Sequence, residues 1–146
     1  MIEGTPFSPA TTGWFDAVFE SPTPAQTRGW KAIADGTHTL IHAPTGSGKT
    51  LAAFLWSLDT LMTSPAPPAP SGSRVLYVSP LKALAYDVDR NLRAPLTGIR
   101  AEAMKLDLET TDISVAMRTG DTPQKERQAM MRNPPDLLIT TPESLY

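Results

Sequence analysis

Nine consecutive residues, HAPTGSGKT from His42 to Thr50, carry the most definite chemistry in this chain. A small residue, four variable positions and then Gly-Lys-Thr is the spacing of a phosphate-binding loop, provided a strand leads into it and a helix leads out. Gly46 and Gly48 can take backbone geometries closed to other residues. Amide hydrogens of Thr45, Gly46, Ser47 and Gly48, in the loop that Ala43 and Pro44 open, then converge on phosphates at a helix N-terminus. Lys49 is placed to reach the β- and γ-phosphates, and Thr50 to offer its hydroxyl to Mg2+. The bland alternative is a tight glycine turn followed by a solvated lysine.

Binding a nucleoside triphosphate is not hydrolysing it. Hydrolysis also needs an acidic residue for the metal and a group that positions water, usually acids directly after an apolar strand. No such pair stands in this sequence. Asp87 and Asp89 fall within a helical pattern, Asp121 falls in a loop, and Glu143 follows LLITTP as a weak surrogate base. Gln26, upstream of the loop, carries an amide whose donors and acceptor match the edge of adenine. It also fits a capping box with Thr23, and one side chain can serve both roles. Trp14, Phe15 or Phe19 could stack on a base, although core packing accounts for at least two of them.

The elements that must position these groups are legible as periodicities. A first helix is expected from Trp14 to Glu20, with Thr12 as its cap. TPAQ at Thr23–Gln26 opens a second that Gly36 stops. HTLIHAP reads as a short buried strand over His38–Ala43, and the loop then opens a helix over KTLAAFLWSLDTLM with an apolar stripe. Residues 63–73 are proline-rich and read as a surface loop. RVLYVS is a strand, Leu81–Asn91 a helix, DISVAM a strand, TPQKERQAMM a capped helix and DLLIT a fourth strand. TPESLY resembles the start of a further helix, capped by Thr141. This alternation predicts an α/β fold, a parallel sheet with helices on both faces.

Three segments end strands on what should be the same rim as the phosphate loop: SPLKAL from Ser79, RTGDTP from Arg118 and TTPES from Thr140. Each offers hydroxyls, helix-start amides or a basic residue, which singly suit a helix cap and jointly suit a track along a phosphate backbone. His38 and His42 read as packed residues, and Lys125, Arg127 and Arg132 as solvated helix charges. The 146 residues carry a formal charge of -2, so a nucleic acid would have to be gripped by local loops rather than by a basic field. There is no cysteine, which excludes disulfides and thiolate metal sites. Neither a basic-apolar leader nor an apolar tract of membrane length is present, so the expectation is a cytoplasmic protein without membrane partners.

Taken in order, these segments resemble the first motor domain of superfamily 2 helicases, and closely the large-helicase-related group of DNA helicases. TPAQ resembles the adenine-reading segment, APTGSGKT the first ATPase motif, VSPLKALAYDVDRNL a nucleic-acid-contacting motif and LLITTPESLY a later one; RTGDT also matches the group. The resemblance implies a RecA-like P-loop NTPase domain over residues 14–146, preceded by an extension over 1–13 and truncated before the Asp-Glu box. It implies that ATP and Mg2+ are held by Gln26, Lys49, Thr50 and the loop amides. Pro80, Leu81, Lys82, Arg118, Thr119, Gly120, Thr141 and Pro142 lie in the motifs expected to grip one strand. The implied activity is ATP-driven 3′ to 5′ translocation on single-stranded DNA with duplex unwinding, linked to DNA repair and requiring a second motor domain of the same full-length chain. An RNA helicase, or a protein acting on DNA-RNA hybrids, is the alternative within the superfamily. A nucleotide-binding module without motor function and a small-molecule kinase are the alternatives outside it.

Overall fold

The structure is a computed structural model and describes residues 5–68 and 71–145. It is a mixed α/β fold containing a parallel sheet flanked by helices, in the order α1 (Pro9–Val18), α2 (Pro24–Ala34), α3 (Lys49–Thr63), β1 (Val75–Val78), α4 (Lys82–Lys105), β2 (Val115–Arg118), α5 (Gln124–Arg132), β3 (Leu137–Thr140) and a closing 3-10 turn, Pro142–Ser144. The chain divides into two compact units, Met1–Ser64 with Pro95–Thr110, and Pro65–Ala94 with Thr111–Tyr146.

The first unit is built on aromatic packing. Helix α1 starts earlier than its apolar periodicity suggests, because Ser8 and not Thr12 caps it and Pro9 takes the first turn. Asp59 of α3 anchors that start by accepting from the Ser8 N–H and Oγ. Phe15 and Trp30 are fully buried and meet edge to face at 5.5 Å; Phe19 lies 4.7 Å from Phe15 and Phe7 4.9 Å from Trp30. Trp14 and Phe15 therefore belong to this core rather than to a base-stacking platform. Helix α2 is as expected, with a complete Thr23–Gln26 capping box and Gly36 at φ 71° just past its end.

Helix α4 runs fourteen residues beyond its expected end at Asn91, through Pro95 and Gly98, two residues that local propensity sets against a helix. Gly98 has a packing role, since a Cβ there would stand 2.2 Å from the Trp14 indole. Burial of Ile99 and Ala103 holds the rest of this stretch in place.

The second unit contains the sheet, with order β1-β3-β2 and all pairings parallel. Val75, Leu137 and Val115 are in register at one end, and Val78, Thr140 and Arg118 at the other. Leu137 and Ile139 of the central strand are fully buried. Two expectations fail here. Helix α5 receives no side-chain cap, because the Thr122 hydroxyl turns back to accept from the Thr119 N–H at 2.8 Å. The final segment is a single 3-10 turn, again without a side-chain cap.

The expected strand over His38–Ala43 does not form. Residues 37–44 are assigned to no strand, no ladder partner is found among the described residues, and Leu40 is 93% exposed. Among the described residues the sheet accordingly has three strands and not four. A strand is stabilised by pairing, and an apolar run alone cannot supply its partner.

Candidate functional site

The two glycines of the phosphate-loop sequence fold as their residue type allows and a helix leads out of it, whereas the strand expected to lead in is not formed. Gly46 and Gly48 both take positive φ, 80° and 74°, and Gly48 is the residue from which α3 departs. At Gly48 space is limiting as well, since a Cβ would lie 2.4 Å from Gln26 Nε2. Glycine is therefore needed there twice, for its conformation and for its lack of a side chain. Ser47 Oγ donates to the Pro44 carbonyl at 2.7 Å. The Lys49 ammonium donates to the carbonyls of Ala43 and Pro44 at 2.5 and 2.6 Å, so it bends back over the loop that precedes it. An ammonium has three donors, and two acceptors leave it able to exchange partners.

Gln26, only 4% exposed, joins α2 to this loop. Its Oε1 accepts from the Thr23 N–H at 2.9 Å, its Nε2 donates to the Gly48 carbonyl at 3.4 Å, and the Thr23 hydroxyl donates to the Ser47 carbonyl at 2.8 Å. Both ends of the amide are thus engaged internally, with one N–H and one lone pair to spare. Trp30 Nε1 adds a contact to the Leu51 carbonyl. Alongside lies a cleft of about 460 Å³, lined by α2 residues including Arg28 and by Thr39–Pro44. Thr50 is an exposed residue in the first turn of α3. A hydroxyl is a hard oxygen, the donor class that Mg2+ prefers. No cluster of three or more metal-ligating side chains is found among the described residues.

The second unit brings the other candidate residues together at one sheet edge. Because the strands are parallel and in register, Ser79, Thr119 and Thr141 leave the sheet side by side. Pro80, Leu81, Lys82, Gly120 and Pro142 are exposed, whereas Thr119 and Thr141 are buried. The two buried threonines act as loop braces, Thr119 through the bond its N–H donates to Thr122 Oγ1 and Thr141 through its hydroxyl, 3.3 Å from Ser144 Oγ. Thr140 Oγ1 donates to the Arg118 carbonyl at 2.8 Å, and Arg118 keeps a buried Nε without a hydrogen-bond partner. Lys82 Nζ meets Asp121 Oδ2 at 2.7 Å. Glu143 is held below the usual carboxylate range, first by its own backbone N–H, then by the Thr141 hydroxyl, with a contribution from the Lys82 charge.

Sequence reasoning missed Arg127. It is not a solvated charge: Nε donates to the Thr122 carbonyl at 2.9 Å and Nη2 to those of Thr119 and Gly120 at 3.1 and 2.8 Å. One guanidinium from α5 thereby fixes the turn after β2. Its spacing from Thr119 and Gly120, about two helical turns in sequence, could have prompted the idea of a back-reaching arginine, but nothing in the sequence selects those acceptors.

Residues 23–146 match the model of the DEAD/DEAH box helicase family. Over 140 residues the chain is 59% identical to a Lhr helicase/probable uracil glycosylase of Mycolicibacterium smegmatis, covering 96% of this chain and 9% of that protein. It is 50% identical over 145 residues to the Lhr helicase/uracil glycosylase of Escherichia coli, with the same two coverages. A solved structure of the Mycobacterium smegmatis helicase Lhr bound to ssDNA and AMP-PNP superposes with a TM-score of 0.87 at 58% identity, covering 95% of this chain and 17% of that one. The chain therefore spans about a tenth of the length of these two relatives.

Proposed function

Because this chain belongs to the DEAD/DEAH box helicase family, we propose that it is the N-terminal part of the first motor domain of a Lhr-type, ATP-dependent DNA helicase, with the domain running over residues 14–146. The full-length enzyme would be cytoplasmic, move 3′ to 5′ on single-stranded DNA and unwind duplexes in DNA repair. The observation that carries this reading is the phosphate loop at the start of α3, with two positive-φ glycines and Lys49 on loop carbonyls. Its support is the likeness to a helicase solved with ssDNA and AMP-PNP.

In this mechanism the phosphates of ATP replace the Ala43 and Pro44 carbonyls as partners of Lys49, and the Thr45–Thr50 amides surround them. Mg2+, when bound, neutralises charge on the phosphates, and the Thr50 hydroxyl is the residue that would hold it. Gln26 would contribute its spare N–H and lone pair to adenine. At the sheet edge the Pro80–Lys82, Arg118–Gly120 and Thr141–Pro142 segments would follow the phosphate backbone of one strand. A second motor domain supplies the closure that turns alternating grip into a step.

Titrating the chain with a fluorescent ATP analogue in Mg2+ tests the nucleotide half. Binding is expected, with a loss of at least about tenfold in Lys49→Ala, as removal of a charge-assisted phosphate contact implies. Equal affinity in the two proteins would defeat the assignment. Anisotropy of labelled single-stranded DNA tests the other half.

A further inference from the structure

The sheet edge assigned to the strand carries its own anion. Lys82 stands in the first turn of α4 and Asp121 in the turn after β2, and their side chains meet at 2.7 Å although both are largely in solvent, 48% and 71% exposed. The meeting is built into the fold. The Gly120 position adjoins the lysine tip, with a Cβ there 3.8 Å from both Cε and Nζ, and the turn carrying Asp121 is fixed through its carbonyls by Arg127. A carboxylate and a backbone phosphate offer an ammonium the same thing, anionic oxygens that accept its hydrogen bonds. An exposed, single-contact pair in water opens at little cost, so its partner is exchangeable.

Resting on the reading that this edge holds a nucleic-acid strand, we propose that Asp121 is a resident phosphate surrogate, occupying Lys82 until a strand phosphate displaces it and so limiting how tightly the edge grips. Two effects oppose each other. The ion pair keeps Lys82 ordered, which favours binding. The displaced carboxylate stays beside the incoming phosphate, and the pair must be broken first; both weaken binding. The second effect prevails, because an exposed pair gives a flexible lysine little order to lose. For a protein that must hold and release a strand repeatedly, a built-in competitor favours release.

The test is a double-mutant cycle on the whole chain: wild type, Asp121→Asn, Lys82→Ala and the double variant, titrated against a fluorescein-labelled oligodeoxythymidylate at low and physiological ionic strength. Asp121→Asn is expected to bind about two- to fivefold more tightly at low salt, the range that exposed ion pairs command. The gain should shrink at higher salt and vanish in the Lys82→Ala background. If Lys82→Ala weakens binding while Asp121→Asn does not tighten it, the surrogate is refuted and the strand-holding edge stands. A gain that persists without Lys82 also refutes it, by making Asp121 a general repulsive charge. Failure of every protein to bind, or wild-type affinity in Lys82→Ala, removes the strand-holding role from this edge and the surrogate with it. Thermal melts establish that all four are folded, and Lys82→Gln replaces Lys82→Ala if the latter melts early.

Discussion

The two ends of the three-stranded sheet each carry a carboxylate paired with a cation, and the pairs behave as opposites. Where the strands begin, Asp136 accepts from Arg74 Nε and Nη2 on Oδ1, at 3.1 and 2.9 Å, and from the Ser114 N–H and hydroxyl on Oδ2, at 2.9 and 2.7 Å. Its backbone joins in, the carbonyl accepting from the Arg74 and Val75 amides and the N–H donating to Ser114 Oγ. One residue thus ties β3 to the starts of both neighbours, with each partner of the ion pair about one-fifth exposed. Where the strands end, Lys82 and Asp121 share a single contact in open solvent. The charge chemistry is the same, so what separates a clamp from an exchangeable contact is the number of bonds and their shielding from water.

The strongest way to break this contrast is to remove each carboxylate. Asp136→Ala should cost about 2–3 kcal/mol in denaturant-unfolding experiments, since it strips charged-group hydrogen bonds from Arg74 and Ser114 together. Asp121→Ala should change stability by less than about 0.5 kcal/mol. Similar losses at the two sites would erase the distinction.

Acid should act on the first pair through its pKa. Burial raises that of Asp136, but the Ser114 backbone and side-chain bonds and the Arg74 guanidinium together outweigh it and hold the carboxyl below its ordinary value. The folded state therefore binds this proton less readily than the unfolded chain. The stabilisation is complete above the ordinary aspartate pKa of about 3.9 and is lost as pH falls through the lowered folded value. Wild type should show this loss in melts between neutral and strongly acidic pH, and Asp136→Asn should show a flatter acid limb from a lower starting point. Parallel limbs would contradict the assignment.

A smaller effect is expected from Arg74→Lys, which keeps the charge but gives up the two-nitrogen reach to Oδ1; about 1 kcal/mol in the same unfolding experiment is the scale of one lost hydrogen bond. Smallest of all is the effect of Asp121→Asn on the melt, within about 0.5 kcal/mol of wild type. If that variant melted markedly earlier, Asp121 would belong with Asp136 as a structural group.

Short-range signals were the legible part of this molecule. Thr23, Pro24 and Gln26 announce a capping box, Gly46 to Thr50 announce the loop, and RVLYVS, DISVAM and DLLIT announce strands, though their ends differ from β1, β2 and β3 by up to three residues; each depends on neighbours within a few residues. What escaped depends on distance. The tie from Ser8 to Asp59 crosses 51 residues and leaves no local trace. Pro95 and Gly98 argue for a break that the Trp14 contact and the burial of Ile99 override. HTLIHA has strand composition, yet a strand exists only with a partner, which no local pattern names. At the candidate site, the residue types of the loop and of the strand ends could be read directly. Their engagements could not: Lys49 on carbonyls six and five residues back, Lys82 on Asp121 and Arg127 on three carbonyls are all facts of geometry.

The reach of Arg127 also says which edits of the chain can be survived. The shape of the turn at 119–122 is dictated from downstream, by a side chain whose direction depends on the phase of α5. Adding one residue between Pro123 and Glu126 would swing that side chain by roughly 100° around the helix axis and detach all three of its acceptors at once. The same addition after Arg132 would leave the phase untouched, so length variation in this stretch should be tolerated behind α5 and rejected ahead of it.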